Sequence, residues 1–293
     1  MPTFTAHAKV NLFLRVLARE SSGYHQIETL FCLLDLHDDL AIETGTPGLS
    51  LNVTGPDLGE PRRNLVWRAA ESFFVRAGIR ENAHFILEKR IPAGAGLGGG
   101  SSDAAATLLG LNSLHGSPLG MEAMLELGAA LGSDVPFFIT RAPLALAWGR
   151  GERLLRLPAL EPAPALIVVP DQRIATSSAY HTLDSLSGPG PGSTEPSAID
   201  AESLTTWSAL EKRARNDFVD AAILALPVIR DILDSCLACG ARIASLAGSG
   251  SACFATFHDA AIRDAAVTRL AARFADTAVV PTRCGVDPHQ TLV

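Results

Sequence analysis

The order of the residues predicts an α+β fold, on three observations. Stretches with strand alternation and stretches with helical spacing are mixed along the chain, without a regular βαβ repeat. Neighbouring strand-like stretches are often joined by short turns rich in Gly and Pro, as in hairpins. The 293 residues suffice for a large core and for two domains, and the Pro-rich run at 156–165 (RLPALEPAPA) marks the expected boundary. The expected division is 1–155 and 165–293.

The elements follow in order. Over residues 4–16, Phe4, Ala6, Ala8, Val10, Leu12, Leu14 and Val16 share one face of a strand. His7, Lys9, Asn11 and Arg15 lie on the other, with Thr5 and Phe13, which reads as a strand with one wet face. A turn at 20–23 (ESSG) leads through Tyr24 and His25 to strands around FCLLDL, DDLAIE and LSLNV. Residues 65–77 read as a helix, with Val66, Ala69, Ala70, Phe73 and Phe74 near helical spacing. Residues 84–90 (HFILEKR) alternate again and run into a glycine loop. Beyond it, Ala104, Leu108 and Leu111 at i, i+4 and i+7 predict an amphipathic helix. Another helix, MEAMLELGAALG, ends before Ser133, Asp134, Val135 and Pro136.

In the second half, 165–169 (ALIVV) predicts a strand. Residues 185–197 (SLSGPGPGSTEPS) are of low complexity and predict a surface loop. Helices are expected near 217–225, 228–239 and 260–274. A strand pair flanks a second glycine turn, LAGSGSACFATF.

Composition narrows the function classes. Hydrophobic residues make up 47% and charged residues 19%, the mix of a soluble globular protein. No run of 18 apolar residues predicts a membrane span, and Lys9, Asn11 and Arg15 interrupt any secretory-signal pattern, so the cytoplasm is the expected address. The net charge of −7, with no basic stripe, argues against nucleic acid as partner. Five cysteines form no disulfide framework, and the Cys236/Cys239 pair lacks the second half of a zinc site, so buried thiols are expected and no metal motif is assigned.

The densest chemical signal is IPAGAGLGGGSSDAAATLL, where five of the seven residues from Gly94 to Gly100 are glycine. Gly94, Gly96 and Gly99 satisfy G-x-G-x-x-G, but no buried strand precedes them and no acidic strand end follows, so the dinucleotide reading fails its context. No Lys-[Ser/Thr] follows for a P-loop. What remains is common to both motifs: glycines that let backbone amides approach a ligand, feeding a helix whose dipole favours an anion. Ser101 and Ser102 add hydroxyls, and Lys89 adds a cation at the loop entrance. Phosphate binding is the expectation.

IPAGAGLGGGSSDAA resembles the ATP loop of the GHMP kinases, the galacto-, homoserine, mevalonate and phosphomevalonate kinase family. AHAKVNLFLRVLARESSGYHQIETLF, LGSDVPFFI at 131–139 and LAGSGSACF at 246–254 resemble other parts of that family in the right order. The resemblance implies a two-domain GHMP kinase-like fold with ATP and substrate in the interdomain cleft. It implies transfer of the γ-phosphoryl of ATP, with Mg2+ carried by the nucleotide, to a hydroxyl of a small molecule bearing a cytidine diphosphate group, within non-mevalonate isoprenoid synthesis.

Lys9 and Asp134 map to the catalytic pair, Asp134 as general base and Lys9 holding it ionised. Asn64, Lys89, Pro92, Ala93, Gly94, Ala95, Gly96, Leu97, Gly98, Gly99, Gly100, Ser101 and Ser102 map to the nucleotide side. Asn11, Tyr24, His25, Tyr180, Gly248 and Ser249 map to the substrate side, with the two tyrosines stacking on the base and His25 bonding its edge. Read from residue type alone, Asp134 would be a helix cap beside Pro136. Asp217, in a segment resembling the family's Asn-Asp-Leu, is likewise read as a cap. The competing functions are a homoserine- or mevalonate-type kinase, a nicotinamide-dependent oxidoreductase, and a binding protein that retains the fold without turnover.

Overall fold

The computed structural model describes residues 1–187 and 199–288. The elements run β1 (Thr3–Arg19), β2 (His25–Thr44), β3 (Gly48–Thr54), α1 (Leu65–Ala77), β4 (Asn82–Glu88), α2 (Gly99–Leu114), α3 (Met121–Leu131) and α4 (Val135–Ile139). They continue with β5 (Leu144–Gly149), β6 (Arg153–Leu157), β7 (Ala163–Pro170), α5 (Thr176–Ser187), α6 (Ala201–Leu204), α7 (Trp207–Arg213) and α8 (Val219–Ala225). The last are α9 (Val228–Ala238), β8 (Ile243–Leu246), β9 (Cys253–Thr256), α10 (Ala260–Arg273) and β10 (Thr277–Cys284). Residues 188–197 of the expected low-complexity loop lie outside the described residues, while its first three end α5.

Two compact units interleave along the chain. The first holds Met1–Ala8, Leu36–Ala93 and Gly98–Arg141; the second holds Lys9–Asp35, Gly94–Leu97 and Ala142–Val293. In the first unit, β3 lies parallel to β4, and β4 pairs antiparallel with the later part of β2, Asp39 opposite Glu88 through Thr44 opposite Ala83. FCLLDL and DDLAIE, expected as separate strands, are one continuous β2. No glycine or proline interrupts the chain between them, so nothing forces a turn.

Helix α1 spans the residues its periodicity predicts and buries the same five side chains. Asn64 accepts a hydrogen bond from the Val66 amide at its start, and Gly78, at φ 67°, ends it in the left-handed region that glycine adopts without a Cβ penalty. Helix α2 departs from expectation. Ser102 through Leu108 are all buried, so its first turns are covered on every side rather than along a stripe. Gly110 permits this, because a Cβ there would stand 2.6 Å from Ile42 Cδ1.

In the second unit, the earlier part of β2 pairs with β5, and β5 with β6. Strands β10, β7, β9 and β8 are joined antiparallel in that order. Against them lies a core that includes Leu166, Val168, Phe218, Ile229, Ile232, Phe257 and Leu270. Strand β10 and helices α5 to α7 carry too little periodicity to stand out in the sequence. Cys236 is buried and unbridged, and burial pushes its thiol up to about 12.

Candidate active site

The glycine loop runs from the end of β4 to the start of α2. Gly94, Gly96 and Gly98 have φ of 66°, 83° and 73°, in the left-handed region. At Gly96 the need for glycine is also steric, because a Cβ would fall 1.9 Å from the Ala247 carbonyl oxygen. The loop's middle is pinned by its own backbone: the Lys9 amide donates to Leu97 O at 2.9 Å and the Ala252 amide to Ala95 O at 3.2 Å. Ala95 and Leu97 bury their side chains, whereas Ala93, Gly94 and Gly100 are exposed and Pro92 and Ser101 half-buried.

Gly98 stands at the N-cap of α2 and offers no side chain to cap it. The first amides of the helix, from Gly99 through Ser101, therefore keep their donors and the positive end of the dipole for an anion. The loop thus fits nucleotide phosphates.

The expectation of a wet face on β1 is corrected. His7, Lys9 and Asn11 are buried, and Asn11 is the hub. Its Oδ1 accepts from Lys9 Nζ at 3.0 Å and from the Gly248 amide at 2.9 Å, while its Nδ2 donates to Thr29 Oγ1 at 2.8 Å. The Thr29 hydroxyl in turn donates to Phe13 O at 2.7 Å. A buried polar group is tolerated when it finds hydrogen-bond partners, and these bonds engage both the oxygen and the nitrogen of the Asn11 amide.

The second glycine turn is held from behind by Asn216, whose Nδ2 donates to Leu246 O at 3.1 Å and Gly248 O at 2.8 Å. The Gly248 amide is therefore already engaged by Asn11, and Ser249 Oγ donates to Thr176 Oγ1 at 3.3 Å. Asn216 is a residue the sequence reading passed over, although it lies in the Asn-Asp-Phe stretch that resembles the family. Asp217 is not a cap. The N-cap of α8 is Phe218, and Asp217 accepts from the Val16 amide at 2.8 Å.

Asp134 sits at the N-cap position of α4 but makes no capping hydrogen bond, with φ −85° and ψ −16°. Its carboxylate does not cap the helix, which corrects the reading from residue type alone. Asn64 does act as a cap, through its side-chain oxygen. Lys89 is buried with its ammonium between Asp38 and Asp103, bonding Asp38 Oδ2 and, at 2.7 Å, Asp103 Oδ2. Burial raises the Asp103 carboxyl to about 7, with Lys89 pulling the other way and Asp38 adding to the rise. Neither aspartate was singled out from sequence, since both are far from Lys89 along the chain and lie inside a strand and a helix.

The predicted substrate residues fall into two contacts. His25 Nε2 donates to Asp184 Oδ1 at 2.7 Å, and its ring stacks on Tyr180 with centroids 4.5 Å apart. Tyr180 also meets Phe218 edge to face. Tyr24 is 59% exposed, and the Arg150 guanidinium lies 4.0 Å from its ring centroid, held in turn by Glu20 at 2.6 Å. His25 and Tyr180 are thus brought together, with Asp184 and Arg150 as neighbours the sequence reading did not name.

Comparison with known proteins places this geometry. Residues 64–141 match the family GHMP kinases N terminal domain, and residues 198–276 match GHMP kinases C terminal. The chain is 36% identical over 275 residues to a 4-diphosphocytidyl-2-C-methyl-D-erythritol kinase of Syntrophotalea carbinolica, covering 93% of this chain and 95% of that protein. It is 37% identical over 283 residues to the kinase of the same name from Salinibacter ruber, covering 94% and 97%. A crystal structure of 4-(cytidine 5'-diphospho)-2C-methyl-D-erythritol kinase superposes with a TM-score of 0.81 at 34% identity, over 97% of this chain and all (100%) of that one. A homoserine kinase from Cytophaga hutchinsonii, at 17% identity and a TM-score of 0.72, shares the fold over 98% of this chain and 96% of its own. With both family domains matched and relatives above 30% identical over nearly its whole length, the chain belongs to the GHMP kinases.

Proposed function

We propose that this protein is an ATP-dependent kinase of the 2-hydroxyl of 4-diphosphocytidyl-2-C-methyl-D-erythritol, yielding the 2-phosphate and ADP in non-mevalonate isoprenoid precursor synthesis. The observation that carries the reading is 36% identity across 93% of the chain with a kinase of that name. The glycine loop supports it, since its uncapped helix start suits phosphates.

ATP, when bound, supplies the phosphoryl group, and Mg2+ arrives on its oxygens, the hard ligands that ion prefers. Asp134 accepts the proton of the attacking hydroxyl, and Lys9, oriented by Asn11, stabilises negative charge on oxygen. Tyr24, His25 and Tyr180 bind the cytosine, and Asp184 holds His25 through Nε2. Pro92 through Ser102 hold the phosphates by their backbone. Residues 1–155 carry the loop, the catalytic pair and, of the substrate side, Asn11, Tyr24 and His25, while 165–293 carry Tyr180, Gly248 and Ser249. No helix among the described residues is long and apolar enough to cross a membrane, and the cytoplasm is the proposed address.

An ADP-release assay tests this with Mg2+, ATP and the cytidylyl compound, and with homoserine and mevalonate in parallel. Turnover confined to the cytidylyl compound is expected. Turnover with either other alcohol overturns the assignment of the base site, and none with any overturns the kinase reading.

A further inference from the structure

We propose that Asp38, Lys89 and Asp103 form a buried lock joining the two ends of the glycine loop, and that Lys89 positions the loop rather than contacting the nucleotide. The inference rests on reading the loop as the nucleotide seat.

The geometry is that of a staple. At the loop's entrance, Asp38 Oδ1 accepts the amides of Arg90 at 2.5 Å and Ile91 at 2.8 Å, which fixes the backbone just after β4. At its exit, Asp103 lies in the first turns of α2 and is held by Lys89 Nζ at 2.7 Å. Lys89 completes the staple by bonding the other oxygen of Asp38. The three side chains are at most 3% exposed. An ammonium so enclosed has two carboxylates to satisfy its charge, and turning it outward to a phosphate would leave both buried without a cation.

Two further features fit. Gly99, the first residue of α2, is packed against the lock: a Cβ there would lie 2.9 Å from Ile91 Cγ2 and 3.3 Å from Lys89 Nζ. The triad also sets one ammonium against two carboxyl groups. Asp103 Oδ1 is buried without a hydrogen-bond partner among the described residues, whereas both oxygens of Asp38 are engaged. Asp103 is therefore the weaker-held member, and the contact through which the helix start can be released without uncapping the strand end.

The test compares Asp103→Ala and Asp103→Asn with the unaltered chain. Amide hydrogen exchange is followed in nucleotide-free protein, and binding of Mg2+-ATP and of the cytidylyl compound by calorimetry. Asp103→Ala is expected to speed exchange at residues 90–102 and to weaken ATP binding roughly tenfold, leaving the cytidylyl compound within threefold. Asp103→Asn, whose amide oxygen still accepts from Lys89, is expected to restore most of both. Unchanged exchange at 90–102 in a folded Asp103→Ala overturns the lock, as does an equal loss of both ligands or an equal defect in both variants. Faster exchange, reversed by Asn, in a chain that binds no ATP at all would retain the lock and overturn only the loop's assignment to the nucleotide.

Discussion

At the scale of single residues, several side chains of the site hold its frame. Asn64 caps a helix, Asn216 braces a turn and Lys89 sits in a buried ion triad. Asp134 makes no capping bond to the helix it precedes, so its replacement removes no helix cap. Asp134→Asn is expected to lower kcat by about 10²- to 10⁴-fold, the usual contribution of a general base, with both substrate affinities little changed. Steady-state kinetics on the purified variant check it, and a near-normal kcat would remove the role. Gly96→Ala probes packing instead. Its Cβ would overlap the Ala247 carbonyl at 1.9 Å, in a backbone at φ 83°. The loop must then shift, so thermal unfolding should show a lower Tm and ATP turnover should fall together. A variant with unaltered Tm and rate would contradict the close approach.

At the scale of elements, burial decides what the residue pattern left open. Helix α2 has its first turns covered all round, and this places Asp103 where its charge is costly. A carboxyl raised to about 7 in the folded chain and near 4 in the unfolded chain is protonated in the fold while ionised in the unfolded state between those values. The unfolded chain then binds fewer protons, so stability falls as pH rises from about 4 to about 7 and levels off above that. Asp103→Asn should remove this part of the slope, gaining stability relative to the unaltered chain as pH rises to 8. Denaturant titrations at a series of pH values measure the difference. Parallel curves for the two proteins would show that folding does not raise the Asp103 carboxyl.

At the scale of the whole molecule, two units interleave in sequence, and ligands provide the test of what each does. A ligand at a hundred times its Kd adds about 2.7 kcal/mol of stability to the state that binds it. Thermal shifts with Mg2+-ATP and with cytidine diphosphate are both expected to be positive. Tyr24→Ala should abolish the cytidine diphosphate shift and keep that of ATP, since its exposed ring lies far in sequence from the glycine loop and touches only Arg150 among the cation contacts of the described residues. Loss of both shifts would assign Tyr24 to folding.

By itself the sequence determined the α+β class, the span of α1, the strand before the glycine loop, and the family. The elements depend on neighbours within a few residues, through periodicity that acts locally, and the family on short motifs read in order along the chain. Only the tertiary structure decided that the polar face of β1 is buried around Asn11. It alone decided that Asp217 receives the Val16 amide rather than capping a helix, and that Lys89 is enclosed by Asp38 and Asp103. Those partners are 14 to 237 residues apart. Hydrogen bonding and charge pairing between side chains have no period along the chain, so folding alone selects which distant group satisfies a buried donor or charge.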